Sequence, residues 1–148
     1  MTFPDHFSSV SAKYASSRPN YPAALFTWLA SLTASRSLAW DAGCGSGQAA
    51  VGLAAHFEHV VATDPSAVQI VNAVPHPHVA YTVHAETNPD LSESRVDLVT
   101  VAQALHGFDR PVFYREVQRV LAPGGVFAAH DAGWRTLTRK HEQSMNKI

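Results

Sequence analysis

The stretch WDAGCGSGQAA, residues 40–50, constrains the fold more than any other part of the chain. It ends a short apolar run, SLAWDA (37–42), of the kind that forms a buried strand. Three glycines at alternating positions then lead into an alanine-rich segment, GQAAVGLAAHF (47–57), which has the composition of a helix. A strand, a glycine loop and a helix in direct succession indicate an α/β layer that binds a ligand at the loop.

The rest of the chain alternates between strand-like and helix-like segments. Strands are predicted at 37–42, 59–64, 79–85, the first part of 96–105 and 126–132, and helices at 22–34, 47–57, 65–74 and 110–122, with turn-rich segments at 86–95 and 123–125. This alternation predicts an α/β fold with a doubly wound, mainly parallel sheet. Ligands bind such sheets at the carboxyl ends of the strands, where the glycine loop is expected.

The length and composition suit one domain, which we place at 22–132, between an N-terminal arm (1–21) and a polar tail (133–148). A formal net charge of -1 gives no sign of nucleic-acid or membrane partners. The N-terminus lacks the apolar core of a signal peptide, and no stretch reaches the roughly 18 apolar residues of a membrane span. The single cysteine, Cys44, fits a reducing compartment. We therefore expect a cytoplasmic protein.

The spacing of the glycine loop and the residue before it limit the ligand. The loop reads G-x-G-x-G, whereas dinucleotide-binding loops read G-x-G-x-x-G. Asp41 precedes Gly43 by two residues, and its carboxylate would repel a pyrophosphate but attract an ammonium group. Backbone amides at a helix start favour a carboxylate. No Lys-Ser or Lys-Thr follows the loop, so it is not a P-loop. Because Asp41 favours an ammonium group and the loop amides favour a carboxylate, we infer that the ligand is a zwitterion attached to a nucleoside.

A second acidic residue, Asp64, ends the next predicted strand, 21 residues after Gly43. An acidic residue about 20 residues past such a loop hydrogen-bonds ribose hydroxyls, and no adjacent arginine favours a 2′-phosphate. An amine, a carboxylate and a ribose together indicate S-adenosylmethionine. Two structural interpretations stay open: the glycines alone would suit a tight turn, and Asp64 before Pro65 would suit a helix cap.

Five segments in order resemble class I S-adenosylmethionine-dependent methyltransferases of the type 11 and trans-aconitate-like group. They are YASSRPNYP (14–22), LAWDAGCGSGQAA (38–50), HVVATDPSAVQI (59–70), HAETNPDLSESRVDLVTVAQALHGFD (84–109) and VQRVLAPGGVFAA (117–129). The resemblance covers most of residues 14–129. It implies a Rossmann-like methyltransferase fold and S-adenosylmethionine as the cofactor.

The resemblance also implies roles for individual residues. Those that would contact the cofactor lie at the ends of the predicted strands: Asp41, Gly43, Cys44, Gly45, Asp64, Pro65, Ser66, Ala85, Glu86 and Gln103. Those that would face the acceptor lie in the arm and after strand four: Tyr14, Arg18, Tyr21 and His106. Among them, Asp64 would bind the ribose and Gln103 would face the sulfonium. Independently of the resemblance, no base lies near Cys44 in the sequence, so we interpret it as a small packing residue.

The sequence departs from the family pattern in two places. The family often has His-Trp-Phe-Asp after strand four, whereas this chain has HGFD (106–109). Members of the fold usually add two more strands after strand five, whereas here the sheet is expected to end at strand five, with an exposed apolar edge. Three outcomes stay open for that edge: cover by the tail, pairing with a second copy in a homodimer, or a fragment or degenerate copy that binds the cofactor without turnover.

The implied function is methyl transfer from S-adenosylmethionine to a small-molecule acceptor, with most of the rate supplied by positioning. The alternative is a truncated or inactive methyltransferase-like domain that acts as a cofactor-binding or interaction module. His106 is the candidate base, although a structural or substrate-shaping role is favoured. For Glu86, Arg18 and Tyr21 an ordinary surface role is an equal interpretation. The spacing of the histidines predicts no metal site.

Overall fold

The computed structural model describes residues 21–130 and 134–140. The helices are α1 (Ala23–Ser31), α2 (Gln48–Ala54), α3 (Ala67–Val71) and α4 (Arg110–Val120). The strands are β1 (Leu38–Ala42), β2 (His59–Asp64), β3 (Val79–Val83), β4 (Val96–Val101), β5 (Leu121–His130) and β6 (Trp134–Arg139), and a 3₁₀ helix spans Gln103–Gly107. The four helices and five strands predicted from the sequence are therefore confirmed. Apart from Tyr21, the predicted arm lies outside the described residues. So do residues 131–132, at the end of the predicted fifth strand, and residues 133 and 141–148 of the predicted tail.

The strands form one sheet in the order β3-β2-β1-β4-β5-β6. The first five run parallel, and β1 pairs with β2 on one side and β4 on the other. The chain thus winds outward from β1 to β3 and then returns to continue from β4 on the other side. This order confirms the doubly wound α/β fold, and it places the switch in winding at the carboxyl ends of β1 and β4.

Strand β5 is not the edge of the sheet, contrary to the expectation from the sequence. β6 pairs with it antiparallel from Val126↔Arg139 to His130↔Trp134, and Lys140 extends the pairing by donating its N–H to the Gly125 oxygen at 2.8 Å. The basic residues of the segment WRTLTR favour a polar tail, but its tryptophan and threonines favour a strand that has one solvated side. The tail therefore covers the apolar edge.

The predicted turn at 123–125 lies inside β5. Gly124 has a φ of +84°, which favours glycine, and the pairing with β4 shifts register between Val96 and Leu98. The irregularity allows one strand to pass directly from α4 into the sheet.

Two apolar clusters cover opposite faces of the sheet, because neighbouring residues of β1 alternate between them. Ala39 lies in the cluster packed by α1 and α2, and Trp40 lies in the cluster packed by α4. Trp40 is fully buried, contacts the Phe113 ring edge-on at 5.8 Å, and donates its indole N–H to Thr63 Oγ1 at 2.9 Å. These contacts fix the end of β1 from which the glycine loop begins.

The long segment between β3 and β4 is held against α4 by a charged pair. Arg119 donates to both carboxylate oxygens of Glu116 at 2.8 Å, and to the carbonyl oxygens of Asn88 and Leu91. The Glu116 carboxylate also accepts the Asn88 N–H at 2.7 Å. The turn-rich segment is therefore anchored to α4.

No helix in the described part of the chain is long and apolar enough to cross a membrane.

Candidate functional site

The glycine loop begins where β1 ends and adopts a conformation that requires glycine. Gly43, Gly45 and Gly47 have φ angles of +70°, +57° and +93°, in the left-handed region. A Cβ atom on Gly43 would overlap the side chain of Ala104 in the 3₁₀ helix, and one on Gly47 would overlap the Tyr81 hydroxyl. Gly43 and Gly47 therefore bring the backbone close to two neighbouring elements, which is more than a tight turn needs.

Cys44 lies buried within this loop. Its N–H donates to the Thr63 oxygen at 2.8 Å, and its own carbonyl accepts the Gly47 N–H at 3.0 Å. Burial raises the pKa of its thiol, and the negative charges of Asp41 and Asp64 add to that increase. The residue therefore stays a protonated thiol, as expected of a packing residue rather than a nucleophile.

Asp41 is a buried carboxylate with one unused oxygen. The residue is 2% exposed, and its Oδ1 accepts a hydrogen bond from Thr100 Oγ1 at 2.9 Å. Its Oδ2 has no hydrogen-bond partner among the described residues. Burial raises its pKa to about 7; the Thr100 hydrogen bond opposes this increase, and the charge of Asp64 adds to it. An unpaired buried carboxylate oxygen is costly unless a cation or donor binds there.

Asp64 connects the glycine loop to the start of α3. Its Oδ2 accepts the Gly45 N–H at 3.0 Å, and its Oδ1 accepts the Ser66 N–H at 2.8 Å. The N-cap of α3 is Ser66, whose Oγ accepts the Gln69 N–H at 3.2 Å, so Asp64 is not the helix cap. Each Asp64 oxygen keeps a second lone pair that can accept a further hydrogen bond. Pro65 lies exposed between the two residues.

Tyr21 is a half-buried residue of the core rather than part of an exposed arm. Its ring meets Phe26 and Trp134 edge-on at centroid distances of 6.1 and 6.2 Å. Burial raises the pKa of its hydroxyl to about 12, with a further contribution from the charge of Asp41. Tyr21 thus links the start of α1 to β6 in the vicinity of Asp41. Tyr14 and Arg18 lie outside the described residues.

Glu86 and Asp109 join the segments that follow β3 and β4. Glu86 Oε2 accepts the Asp109 N–H at 2.6 Å, and Asp109 Oδ1 in turn accepts the Val112 N–H at the start of α4. Ala85 precedes Glu86 and is half-buried. The Glu86 carboxylate is therefore bonded to the backbone rather than fully solvated.

Gln103 and His106 lie on the 3₁₀ helix that contacts Gly43, but their side chains are outside the part of the structure that is described. The 3₁₀ helix lies against the glycine loop, and the roles of Gln103 and His106 stay predictions. Among residues 21–130 and 134–140, no three His, Cys, Asp or Glu side chains form a group that could hold a metal ion.

Sequence reasoning missed two residues that shape this site. Thr100 is a buried hydroxyl in the apolar strand VDLVTV, and it lies directly opposite Asp41 in the β1–β4 register. Tyr81 packs over Gly47 and donates its hydroxyl to the Val74 oxygen at 2.5 Å. A polar residue inside an otherwise apolar strand is a signal for Thr100, whereas Tyr81 has no comparable signal.

Comparison with known proteins gives a consistent result. Residues 40–129 match the model of the family described as the methyltransferase domain. A protein from Dictyostelium discoideum named as a methyltransferase is 40% identical over 95% of this chain and 54% of its own length. A solved structure from Anaeromyxobacter dehalogenans, named as a type II methyltransferase, is 49% identical with a TM-score of 0.72 and covers 76% of this chain and 48% of its own.

A more distant structure shares the fold alone. Geranyl diphosphate C-methyltransferase from Streptomyces coelicolor, solved with Mg²⁺, geranyl diphosphate and S-adenosylhomocysteine, is 20% identical with a TM-score of 0.62. It covers 72% of this chain and 43% of its own. The chain thus spans about half the length of the curated relatives it matches.

Proposed function

The chain belongs to the methyltransferase domain family, and from that premise we propose that it binds S-adenosylmethionine and transfers its methyl group to a small-molecule acceptor. One observation carries the proposal: the unpaired Oδ2 of buried Asp41 lies beside a glycine loop that Asp64 holds in place. The buried carboxylate of Asp41, the glycine backbone and the carboxylate of Asp64 together suit a ligand that consists of an amino acid attached to a nucleoside.

The described residues fit that cofactor group by group. Asp41 would accept the ammonium group, and the backbone at Gly43 and Gly45 would lie against the methionine part. Asp64 would accept ribose hydroxyls with the lone pairs that its two backbone hydrogen bonds leave free. The residues proposed to border the adenine follow β2 and β3: Pro65, Ser66, Ala85 and Glu86. Gln103, the first residue of the 3₁₀ helix after β4, is proposed to face the sulfonium.

S-adenosylmethionine supplies an electrophilic methyl group on a sulfonium, so the acceptor has to provide only a nucleophilic atom. The chain contributes mainly position and a dry site. Buried Asp41 and the fixed loop hold one partner in place, and an in-line approach of acceptor and methyl at about 3 Å accounts for most of the expected rate. Tyr21 and His106, together with Tyr14 and Arg18 of the arm, are proposed to shape the acceptor side.

The test of activity is the formation of S-adenosylhomocysteine from S-adenosylmethionine. The chain is incubated with the cofactor and a panel of small carboxylic acids, phenols and lipids, and both the product and the methylated acceptor are measured by mass spectrometry. We expect equal amounts of the two with at least one acceptor class. Cofactor binding without consumption across the panel would contradict the proposed activity and favour the alternative, a module that binds the cofactor without turnover.

A further inference from the structure

Gln48, the first residue of α2, carries a side-chain amide that is fixed on one side and unused on the other. Ser46 Oγ donates a hydrogen bond to Gln48 Oε1 at 2.6 Å, which orients the amide. Gln48 Nε2 is buried and has no hydrogen-bond partner among the described residues. The amide does not cap the helix, since the N-cap is Gly47 and no side chain caps α2.

A donor and an acceptor are thus left unpaired at the two ends of the glycine loop. Gln48 Nε2 is a buried donor just past the loop, and Asp41 Oδ2 is a buried acceptor just before it. Both lack partners, so they do not bond to each other. Buried polar groups are nearly always paired, and two unpaired groups of opposite kind around one loop indicate a ligand that supplies a cation and an anion together.

We propose that Gln48 Nε2 binds the α-carboxylate of the cofactor, opposite the ammonium group bound by Asp41. This inference rests on the proposed function and adds to it a residue that recognises the carboxylate. The negative charges of Asp41 and Asp64 would repel the carboxylate of the cofactor. A hydrogen bond from the neutral amide of Gln48 would offset that repulsion. Ser46 acts as a positioning residue, since its hydroxyl occupies the amide oxygen and leaves the nitrogen for the ligand.

The test pairs one variant with two ligands that differ only in the carboxylate. Gln48→Glu keeps the side-chain shape and can still accept from Ser46, but it replaces the Nε2 donor by a negative oxygen. Binding of S-adenosylmethionine and of decarboxylated S-adenosylmethionine is measured by calorimetry. We expect the variant to bind S-adenosylmethionine at least about tenfold more weakly. We expect it to bind the decarboxylated form with unchanged or higher affinity, because the ammonium group remains.

Gln118→Glu introduces the same change at an exposed position of α4 and should leave both affinities unchanged. Ser46→Ala removes the hydrogen bond that orients the Gln48 amide. It should weaken the binding of S-adenosylmethionine by less than Gln48→Glu does, and it should leave the binding of the decarboxylated form unchanged. Equal weakening of both ligands, or no weakening of either, would overturn the role of Gln48 while leaving the proposed function intact. A wild-type chain that binds neither ligand would overturn both.

Discussion

At the scale of single residues, the stability of the fold and the binding of the ligand favour different protonation states of Asp41. Its carboxylate is buried with one oxygen unpaired, so ionisation is unfavourable in the folded chain and its pKa rises from 3.8 to about 7. A raised pKa means that the protonated form stabilises the fold: the contribution is fully present below about pH 4 and is lost as the pH rises through 7. The same ionised form is the one that binds an ammonium group.

Asp41→Asn should therefore stabilise the ligand-free chain at pH 8 and change its stability much less at pH 4, where Asp41 is protonated in the folded chain. The neutral amide keeps the shape and can still accept from Thr100. Other groups close to Asp41 are Asp64 and the protonated Cys44, Tyr21 and Tyr81. We expect thermal melting at pH 8 to occur about 3 °C or more above wild type. A lower melting temperature for the variant at pH 8 would show that burial of the ionised group is not costly.

Asp64 offers a second test at this scale, because it connects the loop to α3 and is proposed to bind the ribose. Asp64→Ala should weaken the binding of S-adenosylhomocysteine by about 1–3 kcal/mol, or about 5- to 150-fold in Kd, in a calorimetric titration. Asp90→Ala removes a carboxylate that pairs with His84 and is largely exposed, so it serves as the matched control. Unchanged affinity in Asp64→Ala would place the ribose elsewhere.

The residues of the site differ in how far the sequence predicts them. Asp41 and Asp64 can be identified because each ends an apolar strand that leads into a loop or helix, and both lie where the structure places the glycine loop. Thr100 and the amide of Gln48 cannot, since their importance depends on partners. The partner of Thr100 is 59 residues away and is brought opposite it only by the parallel register of β1 and β4.

At the scale of elements, the Glu116–Arg119 pair determines where the segment after β3 lies. The Arg119 hydrogen bond, with a smaller contribution from the Asn88 N–H, lowers the pKa of Glu116 against the effect of burial. A lowered pKa stabilises the fold at pH values above the ordinary pKa of 4.5, and this contribution is lost as the pH falls through the lowered value.

Glu116→Gln should lower the free energy of unfolding by about 1–3 kcal/mol at pH 7, because a charge-assisted pair and a backbone contact are weakened together. Urea denaturation measures the difference, and Glu58→Gln, at an exposed position before β2, is the control. The difference should shrink at acid pH. A loss of the same size at pH 3 would mean that charge on Glu116 is not the cause.

At the scale of the whole molecule, the parallel core follows from the alternation of apolar strands and helices, but the outer edge does not. Each of the first five strands is apolar enough to be recognised in isolation. β6 is not, because WRTLTR carries two arginines and three residues that suit a strand only when a neighbour provides the pairing. The apolar edge of β5 supplies that neighbour, as the register from Val126 to His130 shows.

Removal of β6 should expose the edge of β5 and allow it to pair with another copy of the chain. A variant that ends at Gly133 exposes the unpaired backbone of β5, and we expect its mass in light scattering to increase with concentration. A variant that ends at Lys140 keeps the strand and should behave as the full chain does. A shortened chain of constant mass would show that β6 does not protect the edge.

The central claim is that the carboxyl edge of this sheet binds S-adenosylmethionine through its amino-acid and ribose groups. Calorimetric titration with S-adenosylhomocysteine, and separately with NAD, tests it most directly. The structure predicts one S-adenosylhomocysteine per chain and no detectable heat of binding with NAD, because Asp41 would repel its pyrophosphate. Binding of NAD without S-adenosylhomocysteine would contradict the claim.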